Sequence, residues 1–525
     1  MLFNSCGFIL VFLPFVFFGF YLIGRYSHNL ASQWLAAASL FFYGWWDVRF
    51  VGLLIGSIMF NYGAGFLIGH RYFGKPKLLL TFAIVSNLIM LGYFKYANFF
   101  IENLNQLAGT KLPLGEVLLP LGISFFTFTQ IAFLVDTYQG KVKEFNFVHY
   151  TLFVTYFPHL IAGPVLHHKE MMPQFARLST CNINWGNVAV GLTIFVLGLA
   201  KKVFIADTLA DFSSPVFDAV HAGGQPMLFE AWIGALAYTL QLYFDFSAYS
   251  DMAIGLSLMF NVCLPMNFNS PYKATSIIEF WRRWHMTLSR FLRDYLYIPL
   301  GGNRNGTAQR YLNLMITMLL GGLWHGAGWT FVVWGSLHGI YLIANHIWRE
   351  FKQRMDWGDG GAWSNLAAGA LTFLAVVVGW VFFRAENLAT AIDMISGMLG
   401  MNGWSFSQDM GATALGAFMQ KFDVQFIGTM VLTGRDFGKA ICLLMLGLIL
   451  CFYFPNSSEI TRRLHPALND GEATISLTAR IQNKILKLVK WQATKRQGAI
   501  YGVLFFVLLS YLASANKSEF LYFQF

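Results

Sequence analysis

The sequence predicts an all-α, polytopic integral membrane protein with roughly ten to twelve transmembrane helices, plus re-entrant and interfacial helices beside them. Three observations predict it. The 525 residues are 56% hydrophobic and 12% charged, with a mean hydropathy of +0.52, whereas a soluble chain carries about 25% charged residues. Apolar runs of spanning length recur along the chain. They are long and continuous, unlike the short alternating segments of a membrane β-barrel.

Taken in order, the first run, 5–24, has no basic segment before it and no small-residue cleavage site after it, so it reads as a retained helix. Further candidate spans lie at 30–46, 50–69, 77–94, 116–138, 147–166, 187–206, 229–260, 311–327, 328–347, 363–383, 438–454 and 498–514. Several are short, and one or two are expected to be re-entrant. The stretch "FPHLIAGPVL" puts Pro158, Gly163 and Pro164 in one apolar run. Those residues break a helical ladder, so the run reads as a re-entrant turn lining a cavity. The whole of 1–525 is expected to be one membrane-embedded domain. Its longest polar stretches, near 400–436 and 455–491, are too short or too basic for a separate catalytic domain, which needs about 50 residues.

The net charge of +10 is unevenly placed. Segment 265–310 carries Lys273, Arg282, Arg283, Arg290, Arg293, Arg304 and Arg310 against Glu279 and Asp294, and the positive-inside rule puts it on the cytoplasmic face. Segment 455–496 holds a second cluster. Within it "ISLTARIQNKILKLVKW" sets Ile481, Ile485, Leu488 and Val489 against Lys484, Lys487 and Lys490, the pattern of a cytoplasmic interfacial helix. Anionic membrane lipid is the partner this charge implies, and no nucleic acid is expected. The cysteines, Cys6, Cys181, Cys263, Cys442 and Cys451, are scattered and predict neither a disulfide framework nor a metal site. There is no Walker loop, GxSxG elbow or HExxH pair, so an ATP-driven pump and a zinc protease are poorly supported.

Polar residues in apolar runs are therefore the place to look for chemistry, since a charge at the bilayer centre costs about 2.5–3.5 kcal/mol or more. Lys201, Lys202, Asp245, Asp251, His159, His285 and His325 qualify. Lys201 and Lys202 also read as snorkelling helix ends. "IIEFWRRWHMTLSRFLRDYLYIPLGGNR" reads as one helix from Ile277 to about Ile298, with Trp281, His285, Leu288, Ser289 and Leu292 on one face. In "MLLGGLWHGAGWTF", His325 is flanked by Gly321, Gly322, Gly326 and Gly328, which let backbone or ligand come close. An imidazole buried among apolar groups stays neutral and can take a hydroxyl proton. Two of them beside a basic patch suit acyl transfer from a phosphate-bearing donor. Satisfied structural histidines remain the alternative.

"FWRRWHMTLSRFLRDYLYIPLGGNR" and "LLGGLWHGAGWTFVVWGSLHG" occur with "LFFYGWWD", "LGYFKYANFF", "LPLGISFFTFTQIAFLVDTY", "KKVFIADTLA", "QLYFDFSAYSDMAIGLSLMF", "GWVFFRAENL" and a terminal "FLYFQF". Together they resemble the membrane-bound O-acyltransferase family, in its bacterial polysaccharide branch that acetylates alginate. The resemblance implies a bundle around a central tunnel in the bacterial inner membrane. It implies His325, within Trp324-His325-Gly326, as general base and His285, within Arg283-Trp284-His285, as its partner. It implies acetyl-coenzyme A as a cytoplasmic donor, with no bound cofactor or metal. Trp281, Arg282, Arg283, Arg293 and Trp324 are the expected substrate-binding residues. The acetyl group would cross to the outer face, where a separate periplasmic subunit of the serine-hydrolase type esterifies an exported polysaccharide. The aromatic segment 520–525 is expected in the outer vestibule or at the partner's docking site. The alternatives are an acyl-carrier-dependent D-alanyl or other acyl transferase, and a non-catalytic glycan or lipid transporter.

Overall fold

In lipid every backbone N–H and C=O must find a partner within the protein, and the chain meets that demand with helices packed on helices. The computed structural model describes residues 1–525 apart from 73, 114, 116, 162, 359–360, 406–407, 409–416, 418–419, 422–425, 427–428, 462–466, 469–478, 515–519 and 522–525. Among the described residues there is no strand. Six described helices are long and apolar enough to cross a membrane: Arg49–Gly69, Pro76–Ala108, Trp185–His221, Ala362–Arg384, Gly434–Tyr453 and Lys495–Ser514. Phe8–Gly24 and Leu388–Met398 are shorter apolar helices. Ala479–Val489 is helical, as the charge pattern predicts, and leaves Ile481 and Leu488 exposed; residues 469–478 of the same basic stretch lie outside the described residues.

Leu228–Met259, 32 residues long and buried over most of its length, is the central post. The helix Trp185–Ala200 lies close against it because Gly198 has no Cβ; one built there would sit 2.7 Å from the carbonyl oxygen of Ala248. Beyond Ala200 the backbone widens into a π-helical turn, Lys201–Ala206. Both lysines find carboxylates on the central helix and do not snorkel. Lys201 pairs with Asp251 at 2.5 Å; Lys202 is buried between Asp245 at 2.7 Å and Asp207 at 2.8 Å. Phe520 lies over the Lys202 ammonium at 4.6 Å, and the Leu521 N–H donates to Asp245 at 3.0 Å. These two residues of the terminal segment are thus buried inside the bundle and not laid in a vestibule. The rest of that segment, 522–525, lies outside the described residues.

The predicted single helix over 277–298 is broken into Ile277–Arg283, Met286–Leu292 and a π turn Arg293–Tyr297. No proline or glycine causes the break. His285 itself takes the left-handed conformation, with φ 43° and ψ 52°, a region that histidine enters more readily than most residues. The neighbouring extended chain holds it there: Met286 N–H donates to the Asn267 carbonyl, and Asn269 N–H to that of Arg283, each at 2.9 Å.

Thr307–His325 and Trp329–Arg354 form a helical hairpin joined by only Gly326, Ala327 and Gly328. The two helices touch through glycine. A Cβ on Gly335 would lie 2.5 Å from the Met318 carbonyl oxygen.

Candidate active site

His285 and His325, forty residues apart in sequence, come together with ring centroids 6.5 Å apart. His325 is the last residue of its helix and is 6% exposed. Its ring is boxed by Trp324 at 4.9 Å, Trp334 at 5.1 Å and Phe383 at 5.1 Å. His285 is fully buried, and Phe246 packs edge-on against it at 4.8 Å.

The hydrogen bonding of His285 settles which nitrogen carries the proton. Its Nδ1 lies 3.0 Å from Asn267 Oδ1, and the same oxygen accepts from the Thr287 hydroxyl at 3.0 Å. An amide oxygen only accepts, so Nδ1 is the donor and Nε2 holds the lone pair of the neutral ring. Thr287 in turn accepts from the Val165 N–H at 2.9 Å. Val165 belongs to "FPHLIAGPVL", whose chain leaves the helix Phe147–Thr155 and turns at 157–161. That proline-bearing stretch therefore supports the site directly, and Ile161 within it lines a cavity.

Two cavities are stacked along the helix Thr307–His325. The larger, about 540 Å³, is lined by Trp281, Arg282, Met286, Thr287, Arg290, Arg293 and Met318, among others. Arg290 is held bidentate by Glu170 at 2.6 and 2.8 Å. Arg293 meets its neighbour Asp294 at 2.7 Å and is 62% exposed. The smaller cavity, about 90 Å³, lies roughly 10 Å further along the helix, at 1.5 Å per residue from Met318 to His325. Lys95, Ser124, Trp324 and His325 line it. His285 adjoins the first cavity through Met286 and Thr287, and His325 borders the second. His285 itself lines neither cavity; only its chain neighbours face the first, while His325 lines the second.

Of the predicted binding residues, Trp281, Arg282 and Arg293 gather in the larger cavity. Arg283 does not. It points away and pairs with Glu279 one turn earlier, because a guanidinium at i+4 from a carboxylate on a short helix has a partner at hand. Trp324 belongs to the smaller cavity, apart from the arginines. Three residues at the site carry no prediction from sequence: Asn267, Lys95 and His338. His338 is fully buried and accepts from the Trp281 indole N–H at 3.3 Å. Lys95 Nζ donates to the carbonyls of Trp324 at 2.6 Å and His325 at 3.0 Å. The signal for both was a polar residue within the quoted motifs "LGYFKYANFF" and "WGSLHG".

Comparison with known proteins identifies the family. Residues 77–385 match the membrane-bound O-acyltransferase family. Peptidoglycan O-acetyltransferase of Helicobacter pylori is 42% identical over 492 residues, covering 88% of this chain and 90% of that protein. A probable alginate O-acetylase of Pseudomonas aeruginosa is 46% identical across 78% of this chain and 76% of its own length. Its counterpart in Pseudomonas putida is 40% identical over 535 residues, the full length of both chains. The class is thereby defined: a multi-pass membrane enzyme that transfers acyl groups to oxygen. The chain belongs to the membrane-bound O-acyltransferase family. Enzymatic relatives of this similarity set aside the reading as a non-catalytic transporter.

Proposed function

We propose that the protein is the inner-membrane subunit that takes an acetyl group from cytoplasmic acetyl-coenzyme A and passes it outward for O-acetylation of an exported polysaccharide. One observation carries this reading: two buried histidines meet where the neighbours of one line a large basic cavity and the other lines a small one. In the larger cavity Arg282 and Arg293 attract the donor's phosphates, and Trp281 offers a flat wall to its adenine or pantetheine arm. The thioester carbon then lies beside His285. An acceptor hydroxyl reaching His325 through the small cavity loses its proton to the imidazole as its oxygen attacks that carbon. The C–S bond breaks, the acyl–oxygen bond forms, and the thiolate leaves and is protonated to free coenzyme A. His285, its proton fixed on Nδ1 by Asn267, presents Nε2 as a second acceptor in the relay.

On the far side a separate periplasmic subunit of the serine-hydrolase type completes transfer to the polymer. The longest polar stretches of the sequence, near 400–436 and 455–491, are short for a catalytic domain, which supports that division of labour. The relatives named for alginate and for peptidoglycan favour a polysaccharide acceptor and acetyl as the group moved. An acyl-carrier-dependent D-alanyl transfer is the reading these names disfavour.

Protein purified into lipid vesicles and given radiolabelled acetyl-coenzyme A should release free coenzyme A, and His325→Ala should not. Release by the variant at the wild-type rate, or none by the wild type with its periplasmic partner present, would overturn the proposal.

A further inference from the structure

The helix Thr307–His325 ends in carbonyls that have no acceptor role left within the helix itself. Three of them are met from outside by two consecutive residues of another helix. The Tyr96 hydroxyl donates to Leu323 at 2.6 Å, and Lys95 donates to Trp324 at 2.6 Å and to His325 at 3.0 Å. The third proton of the ammonium reaches Ser124 Oγ at 3.4 Å. An ammonium has three donors and no acceptor, so these partners take its full capacity. Consecutive residues of a regular helix point about 100° apart. Here they converge because the backbone widens into a π turn at Gly92–Tyr96. The positive charge also stands at the end of the helix dipole that favours it.

We propose that Lys95 is a positioning residue for acyl transfer, whose ammonium clamps the carbonyl end of the histidine-bearing helix and so sets where the His325 ring meets the reacting groups. It donates to no substrate atom, since its three N–H groups are committed. The inference rests on His325 acting as the base. Its kinetic signature follows from the layout: the donor arginines line the other cavity, so loss of the clamp slows transfer and leaves donor binding unchanged.

The test uses the full-length protein in vesicles, with radiolabelled acetyl-coenzyme A as the probe and coenzyme A release as the readout. Lys95→Met should lower kcat roughly 100-fold, the penalty typical of a misplacement of about 1 Å, with donor KM within about twofold and normal melting. Lys95→Ala should regain about tenfold in kcat with added methylammonium, whereas His325→Ala should not respond. Lys77→Met, at an exposed position near the start of the same run, should match wild type. Should Lys95→Met fail to insert, Lys95→Arg decides: its planar fork keeps the cation but cannot serve all three acceptors, so kcat should fall about tenfold at constant KM, and a wild-type kcat overturns the clamp. Normal kcat in Lys95→Met beside a dead His325→Ala overturns the role of Lys95 alone. An active His325→Ala overturns the base assignment, and an inactive Lys95→Met in that case shows that Lys95 acts by another route and overturns the clamp as well. A rise in donor KM at constant kcat makes Lys95 a donor-binding residue and also overturns it.

Discussion

The two cavities on either side of the histidine pair are built on opposite terms. The larger one is walled by arginines, of which Arg293 is mostly exposed. The smaller one is closed in by Trp324, Phe125 and Ile161, and its lysine is tied to backbone carbonyls. Long solvated cations attract a charged ligand without fixing it, whereas hydrogen bonds to a helix end fix a position to a fraction of an ångström. The difference teaches that affinity and alignment are assigned to separate places about two helical turns apart. Mutations on the two sides should therefore report on different kinetic constants.

The sharpest way to break that comparison is at His325. His325→Ala and His325→Gln should each lower acetyl transfer by roughly 10²–10⁴, the usual worth of a general base, in protein of normal abundance and melting behaviour. Substantial activity in the glutamine variant, which keeps a hydrogen-bonding group, would return the ring to a packing role. Next in size is the partner. His285→Ala should cripple transfer as well, and the double variant should be little worse than either single one, since residues that act as a unit are not additive. Asn267→Ala, which releases the Nδ1 proton of His285, should cost roughly tenfold in single-turnover rate; an unchanged rate would mean that the tautomer does not matter. On the other side the effects are smaller. Arg282→Gln and Arg293→Gln should each raise donor KM about two- to fivefold with kcat kept, and added salt should mimic them, because exposed charges are screened. Smallest of all is Arg283→Gln, expected to shift KM by less than about twofold, since its guanidinium faces Glu279. A shift as large as that of Arg282→Gln would put Arg283 back among the donor ligands.

What the sequence disclosed and what it hid divide along a physical line. Apolar length announces a long helix by itself, so Leu228–Met259 and Lys495–Ser514 were readable from composition. The glycines around His325 announced a close approach, and the hairpin provides it at Gly335. The break at His285 was invisible, because "RRWHMT" contains no local breaker and the left-handed residue is held by chain some eighteen residues earlier. Lys95 escaped notice for a related reason. It falls just past the apolar run 77–94, where a lysine reads as a membrane-surface charge, and only the tertiary fold brings it under residues 324 and 325. His338 sits in an ordinary apolar stretch, and only its contact with Trp281 distinguishes it. Arg283 and Arg282 are adjacent in sequence and alike in charge, and the turn of the helix alone separates their duties.

The π turns carry a consequence for how this protein tolerates change. Of the four among the described residues, three, Gly92–Tyr96, Lys201–Ala206 and Arg293–Tyr297, contain Lys95, Lys201 with Lys202, and Arg293. Each turn amounts to one extra residue in an otherwise regular helix, which offsets the phase of everything after it. Removing a single residue there would restore an ordinary helix and swing the downstream faces by about 100°, taking the basic side chains off their partners without altering any of them. These helices are therefore more vulnerable in their residue count than in their spelling: a point substitution beside a basic residue edits one contact, whereas a one-residue deletion rewrites the alignment of the whole span.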